Sequence, residues 1–263
     1  MNKKAILVIS FGTSHEDTLK KTILKIEDKF KKVYEGYDFF RAFTSRMIVK
    51  KLKKERGINI DLPLEALDRI KKLGYEEVVV QPLHIMNGIE YHLTYMEIKR
   101  YAQDMNIKFG NPLLTEKDDY RKVVSIISKS ITKLGKDEVA IFMGHGTEHP
   151  SNSSYLALDY MFKIMGHERI YISTVEGFPK INEVIEFIEE KINFKKIILI
   201  PFMIVAGDHA KNDMAGEDED SWKKVLESRG YKVEIVLKGL GELDEIGDLF
   251  IEHSQKSKLI NRL

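Results

Sequence analysis

The chain repeats itself, and a repeat on this scale restricts it to folds assembled from two equivalent halves. The segment AILVISFGTS starting at Ala5 resembles VAIFMGHGTE starting at Val139, so that Gly12-Thr13 matches Gly146-Thr147 at an offset of 134 residues. A second pair, GYEEVVVQPLHIMNGIEYH and NFKKIILIPFMIVAGDHAK, aligns Pro82 with Pro201 and Gly88 with Gly207 at an offset of 119. The offsets differ by 15, which places an insertion in the first half, within the Lys-rich stretch 48–59.

Within each half, short apolar β-branched runs alternate with longer amphipathic stretches, the pattern of a parallel α/β sheet. Strands are expected at 5–11, 38–43, 77–82, 106–109, 139–144, 169–175, 196–201 and 232–238. Crossover helices are expected at 16–30, 64–73, 120–134, 155–165, 180–192 and 221–228, where apolar residues recur at i, i+3 and i+4. The expected architecture is α/β with two similar domains, 1–135 and 136–263, each a parallel four-stranded sheet flanked by helices. Ligands of open α/β sheets bind outside the carboxyl ends of the strands, so two such domains facing each other would form an interdomain cleft.

That rule directs attention to the residues just past each strand. In the second half these are His145 in MGHGTEH, Glu176 in YISTVEGFP and His209 in PFMIVAGDHAKNDM, each close to a glycine that allows a tight turn. The matching first-half positions are Phe11, Thr44 and Glu90, so only the second half offers two imidazoles and a carboxylate. The chain has no cysteine, which removes disulfide frameworks, iron–sulfur clusters and thiolate sites and leaves His, Asp and Glu as metal donors. Two His and one Glu suit a borderline first-row ion such as Co, Ni or Zn with positions left open for exchange. Separated by 31 and 33 residues, the same three also admit a reading as hydrogen-bonded loop residues.

Other polar features carry less. His149 precedes Pro150 and reads as structural or substrate-adjacent. The acidic run 217–220 before Trp222 reads as a solvated helix start. The basic run 50–56 reads as the soluble face of an exposed helix. Arg41 and Arg46 flank the end of the second strand, where a guanidinium serves either carboxylate recognition or surface ion pairing. Phosphate loops, G-x-G-x-x-G, G-x-S-x-G and H-E-x-x-H are all missing, which counts against nucleotide hydrolysis, dinucleotide redox chemistry, serine acyl transfer and zinc proteolysis. The 42 basic and 41 acidic residues nearly cancel, unlike a nucleic-acid or membrane-surface binder. The start MNKKAILVISFGTS has only five apolar residues before a Ser-Phe-Gly-Thr turn, and the apolar stretch 197–206 is interrupted by Pro201. Neither approaches the roughly 20 residues of a membrane span. A cytoplasmic protein with a buried first strand is expected.

The blocks LVISFGTS, QPLHIMNGIEYH, MGHGTEHPSNSSY, STVEGFP and above all PFMIVAGDHAKNDMAGEDEDSWK resemble the anaerobic cobalt chelatases of the CbiK type, the sirohydrochlorin cobaltochelatases, over essentially the whole chain. The resemblance implies a class II chelatase with a ferrochelatase-like fold and a lyase reaction. Co2+ would enter sirohydrochlorin or precorrin-2 with loss of two protons, in the anaerobic route to cobalamin. It places the metal ligands on His145, Glu176 and His209, makes Co2+ the substrate ion with no organic cofactor, and implies a homo-oligomer. His145 is the expected base, since imidazole accepts protons near neutral pH. The tetrapyrrole is flat, apolar in the middle and ringed by carboxylates. Ser10, Gly12, Thr13, Ser14 and Gly88 are expected at its rim; Phe11, Leu83, Ile85, Met86, Ile89, Met143, Phe202, Met203 and Ile204 lie at or after strand ends and serve either as apolar walls or as ordinary core. A carrier without turnover, a nickel or iron chelatase, and a metal-dependent hydrolase are the rival readings; affinity order alone would favour Ni2+ over Co2+.

Overall fold

An apolar β-branched run becomes a strand when neighbouring strands take up its backbone N–H and C=O groups. The computed structural model describes residues 3–131 and 133–260, and in it nine strands, most of them such runs, form two sheets. The chain starts with β1 (Lys4–Ser10), α1 (Glu16–Lys21), α2 (Ile23–Val33), β2 (Asp38–Phe43), α3 (Arg46–Arg56), α4 (Pro63–Lys72), β3 (Glu77–Pro82), α5 (Ile89–Lys99) and β4 (Asn106–Phe109). It continues with α6 (Lys117–Ser130), β5 (Glu138–Gly144), α7 (Ser153–Ile164), β6 (Ile170–Thr174), α8 (Ile181–Glu189), β7 (Lys196–Pro201), α9 (Trp222–Ser228), β8 (Lys232–Ile235), α10 (Asp244–Gln255) and β9 (Lys258–Leu259).

The repeat is visible in the topology. One sheet runs β2-β1-β3-β4-β9 and the other β6-β5-β7-β8, so each half places its first strand between its second and third. Pro82 lies opposite Ile9 and Pro201 opposite Met143, which brings the two sequence offsets together on equivalent rungs. All pairings are parallel except β4 with β9. The first sheet therefore has five strands rather than the expected four. Lys258 and Leu259 pair with Phe109 and Lys108 along the outer side of β4, shielding an edge that would otherwise offer free backbone groups.

The chain divides into two compact units, one comprising residues up to Thr115 together with those from Asp244 onward, the other Glu116–Leu243. The sequence halves meet near Gly135; the compact units part twenty residues earlier, and the C-terminal helix returns to the first unit. The reason is burial. α6 packs on α7, and α10 packs on α2 and β3, where Ile246 and Phe250 are wholly enclosed. Lys29 Nζ meets Asp248 Oδ1 at 2.6 Å and Tyr34 donates to Ser254 Oγ at 2.8 Å across the α2–α10 contact.

The core of the first unit includes Leu7, Ile9, Val78 and Val80 against Leu67 and Ile98; that of the second includes Ile141, Met143, Ile197 and Leu199 against Ile185, Leu226 and Trp222. The insertion inferred from the offsets is α3, which buries Ile48 and Leu52 and exposes most of its basic residues; in the second unit a single helix, α8, joins the equivalent strands. The helix expected over 16–30 is two, because the backbone breaks at Thr22 (φ −121°, ψ −86°), whose hydroxyl donates to Thr18 O at 2.6 Å. The helix expected over 120–134 starts earlier, at Lys117, and stops at Ser130; residue 132 lies outside the described residues. No helix among the described residues is long and apolar enough to cross a membrane.

Candidate metal centre

Three loops at the carboxyl ends of β5, β6 and β7 bring His145, Glu176 and His209 together. Past β5 the backbone turns at Gly146 with φ +83°, where a Cβ would stand 2.2 Å from the backbone nitrogen of Gly177. Only glycine fits that crossing of two loops. The loops are also tied by polar bonds: Glu176 N donates to His145 O at 2.7 Å, and Asn152 bridges them by accepting from Thr147 N at 3.1 Å and donating to Phe178 O at 2.6 Å. Beneath them Tyr155 is buried, its ring packed against Gly144 so closely that a Cβ there would stand 2.3 Å from it. Burial pushes the phenol up to about 12, so it stays protonated and acts as a support.

The third loop holds His209 by its neighbours. Residues 210–214 form a π-helical turn in which Ala210 and Met214 are buried in the core of their unit, which leaves His209 and Asp213 on the outer side. His209 Nδ1 lies 2.5 Å from Asp213 Oδ2. A carboxylate only accepts, so this nitrogen carries the proton of the neutral ring and Nε2 holds the free lone pair. His145 Nδ1 likewise faces the Gly146 carbonyl at 3.0 Å and lies 3.6 Å from Glu176 Oε2. The two rings meet edge to face with centroids 4.6 Å apart.

One ligand atom from each of His145, Glu176 and His209 lies within 4.8 Å of the others. Bonds of about 2.0–2.2 Å to a first-row ion place donors roughly 3–3.5 Å apart, a separation these half-exposed side chains reach by small rotations. The set combines two neutral nitrogens with one anionic oxygen and leaves further coordination positions to solvent or an incoming ligand. It suits an ion that is taken up and handed on.

The family model described as cobalt chelatase (CbiK) matches residues 4–258. The chain belongs to the CbiK cobalt chelatase family. It is 38% identical over 252 residues to the sirohydrochlorin cobaltochelatase of Salmonella typhimurium, covering 95% of each chain. It is also 30% identical over 257 residues to the sirohydrochlorin cobaltochelatase CbiKC of Nitratidesulfovibrio vulgaris, covering 96% of this chain and 90% of that one. Among solved structures, SirB from Bacillus subtilis with Fe3+ aligns over 97% of this chain and 95% of that one at a TM-score of 0.67 and 14% identity, a likeness of fold.

The other residues singled out in this chelatase family member fall into separate environments. Ser10 ends β1 and Phe11, Gly12, Thr13 and Ser14 form the loop after it, where Gly12 turns at φ +91° with the Phe43 ring against its α-carbon. Ser10, Thr13 and Ser14 are buried, and Thr13 Oγ1 accepts from His15 N; Phe11, 52% exposed, is the large side chain that the loop presents. Gly88 caps α5, and Met203 follows β7 half-buried. Of the expected apolar wall, Leu83, Met86, Met143, Phe202 and Ile204 are core, whereas Ile89 is exposed. Backbone bonding pairs Glu176 with Ser45 rather than Thr44, since Ser45 N donates to Phe11 O as Glu176 N does to His145 O. His149 Nδ1 accepts from Ser151 N at 3.2 Å, a bond within its own loop.

Arg41 is taken up by the buried Glu27, to which its Nε donates at 2.6 Å and its second guanidinium nitrogen also bonds. Burial raises the Glu27 pKa while Arg41 opposes that rise. Arg46 is exposed at the start of α3. In the acidic run, two lysines, Lys223 and Lys224, hold the Glu217 carboxyl down to about 2. Sequence reasoning missed Asn152, Tyr155 and Asp213. Of these only Asp213 left a signal, its spacing of four from His209.

Proposed function

We propose that this protein is a sirohydrochlorin cobaltochelatase that inserts Co2+ into sirohydrochlorin, or its reduced precursor precorrin-2, and releases two protons, in the oxygen-independent route to cobalamin. The observation that carries the reading is the convergence of His145, Glu176 and His209 in a chain of the CbiK family. The names of the relatives at 38% and 30% identity support the choice of tetrapyrrole and metal.

Insertion exchanges protein and water ligands for four ring nitrogens while two pyrrole N–H protons leave. Glu176 offsets part of the ion's charge, and the two Nε2 atoms hold the ion loosely enough to surrender it. As the ion passes to the macrocycle, His145 Nε2 is freed and accepts one pyrrole proton while the second passes to solvent water, so ligand and base act in sequence on one nitrogen. The loop of Ser10, Phe11, Gly12, Thr13 and Ser14, with Gly88 and Met203, contacts the tetrapyrrole. The buried hydroxyls of that loop favour backbone N–H groups and the exposed Phe11 ring as the contacting groups. The reading extends to a cytoplasmic homo-oligomer; sedimentation as a single 30.5 kDa species would remove the oligomer.

Purified protein mixed with Co2+ and sirohydrochlorin should change the tetrapyrrole absorption through many turnovers. A change that stops at one equivalent per chain would make the protein a carrier instead. H145A should abolish insertion with the fold intact; insertion at the wild-type rate would remove His145 as base.

A further inference from the structure

The two imidazoles of the metal centre differ in what holds their far nitrogens. His145 Nδ1 faces a backbone carbonyl at 3.0 Å, and the nearest carboxylate, at 3.6 Å, belongs to Glu176, itself one of the three converging donors. His209 Nδ1 faces a carboxylate at 2.5 Å that is not a member of the donor set. We propose that Asp213 is a positioning residue for cobalt capture, fixing the His209 ring and its tautomer with Nε2 as the metal-facing atom. His209 is thereby the anchoring imidazole and His145 the exchangeable one. The inference rests on the reading of His145, Glu176 and His209 as the site that loads the ion.

The local fold makes the contact rigid. Ala210 and Met214 are fully buried, so the turn cannot roll without pulling both from the core. Lys211 N donates to Gly207 O at 3.0 Å ahead of the pair, and Gly216 N donates to Asn212 O at 2.9 Å behind it. Between these fastenings His209 and Asp213 stand four residues apart on the outer side. A charged acceptor on the far nitrogen raises the donor strength of the near one and restricts ring rotation; losing such a partner typically weakens metal binding by roughly ten- to a hundredfold. His145, with only a neutral carbonyl fixing its tautomer, is the weaker donor and the one that lets go when the macrocycle arrives. The asymmetry orders the reaction: the ion loads on His209, and His145 becomes available for a proton.

The test titrates Co2+ into the full-length protein without tetrapyrrole, following the visible absorption of the bound ion, for wild type, D213A, D213N and H209A. Alanine removes the acceptor. Asparagine keeps the shape but can turn its amide to donate to Nδ1, which favours the ring tautomer with a proton on Nε2. Both Asp213 variants should bind Co2+ roughly ten- to a hundredfold more weakly. In turnover they should raise the KM for Co2+ by a similar factor with the KM for sirohydrochlorin and the melting temperature unchanged. Wild-type Co2+ affinity in both Asp213 variants, with H209A impaired, overturns the role of Asp213 alone. Wild-type affinity in H209A overturns the site reading beneath it. A raised KM for sirohydrochlorin matching that for Co2+ would mean general damage and would also overturn the proposal.

Discussion

His84 lies just past β3 with both ring nitrogens shut off from water and without hydrogen-bond partners among the described residues, although part of the residue's surface remains open. The Tyr91 ring meets it edge-on at 6.2 Å. Burial disfavours the imidazolium and lowers the pKa from 6.5 to about 4. As pH falls, the unfolded chain therefore takes up this proton before the folded one does. The corresponding stability is fully present above about pH 6.5 and is lost as pH falls toward 4, by about 3 kcal/mol over the window. Urea melts of wild type and H84F between pH 7 and pH 4 should show that extra loss in wild type alone; parallel curves would remove it. Nothing in QPLHIMNG marks the imidazole as enclosed, because enclosure comes from α5 and the chain after β4. Arg41 and Arg46 pose the same difficulty. They look alike in sequence, and only the position of Glu27 on α2 separates the engaged guanidinium from the exposed one.

At the scale of elements, strands were more legible than helices. Parallel strands enclosed on both faces need unbroken apolar runs, and those stand out. Four of the expected strands match the observed bounds residue for residue. α5 left no periodic signal because apolar residues occur all around it, from buried Ile98 to exposed Ile89, Leu93 and Met96. The loops that carry the metal centre depend on ties between elements, chiefly Asn152 at the start of α7. Removing its side chain in N152A deletes two hydrogen bonds, each worth about 0.5–1.5 kcal/mol. The expected result is a stability loss of about 1–3 kcal/mol in denaturant melts and a weaker Co2+ titration. An unchanged titration would mean that the backbone bond from Glu176 to His145 holds the loops unaided.

For the whole molecule, the second unit is one uninterrupted stretch, Glu116–Leu243, with its own sheet and core. Expressed alone it should unfold cooperatively in urea. The first unit needs both ends of the chain: without α10 and β9, α2 and β3 lose the cover of Ile246, Leu249 and Phe250, and β4 has a bare edge. A fragment ending at residue 115 should therefore lack a cooperative transition. Cutting instead at 135, where the repeat suggests a junction, strands α6 away from α7 and should leave both fragments poorly folded by circular dichroism. A sharp transition in the fragment 1–115 would refute this account of the first unit.

The succession of strands along the chain, its division into two similar β/α halves and the three strand-end residues that converge were set out by the sequence alone, because apolar runs, glycine turns and the rule of strand carboxyl ends are local or periodic features. The repeat even supplied the insertion that became α3. Tertiary structure alone decided that the last helix returns to the first unit, that Arg41 is occupied by Glu27, that His84 is enclosed, that Asn152 ties the loop of His145 to the loop of Glu176, and that Asp213 lies against His209. Each of those outcomes depends on which faces meet when distant segments bury their apolar surface, and no spacing along the chain encodes that choice.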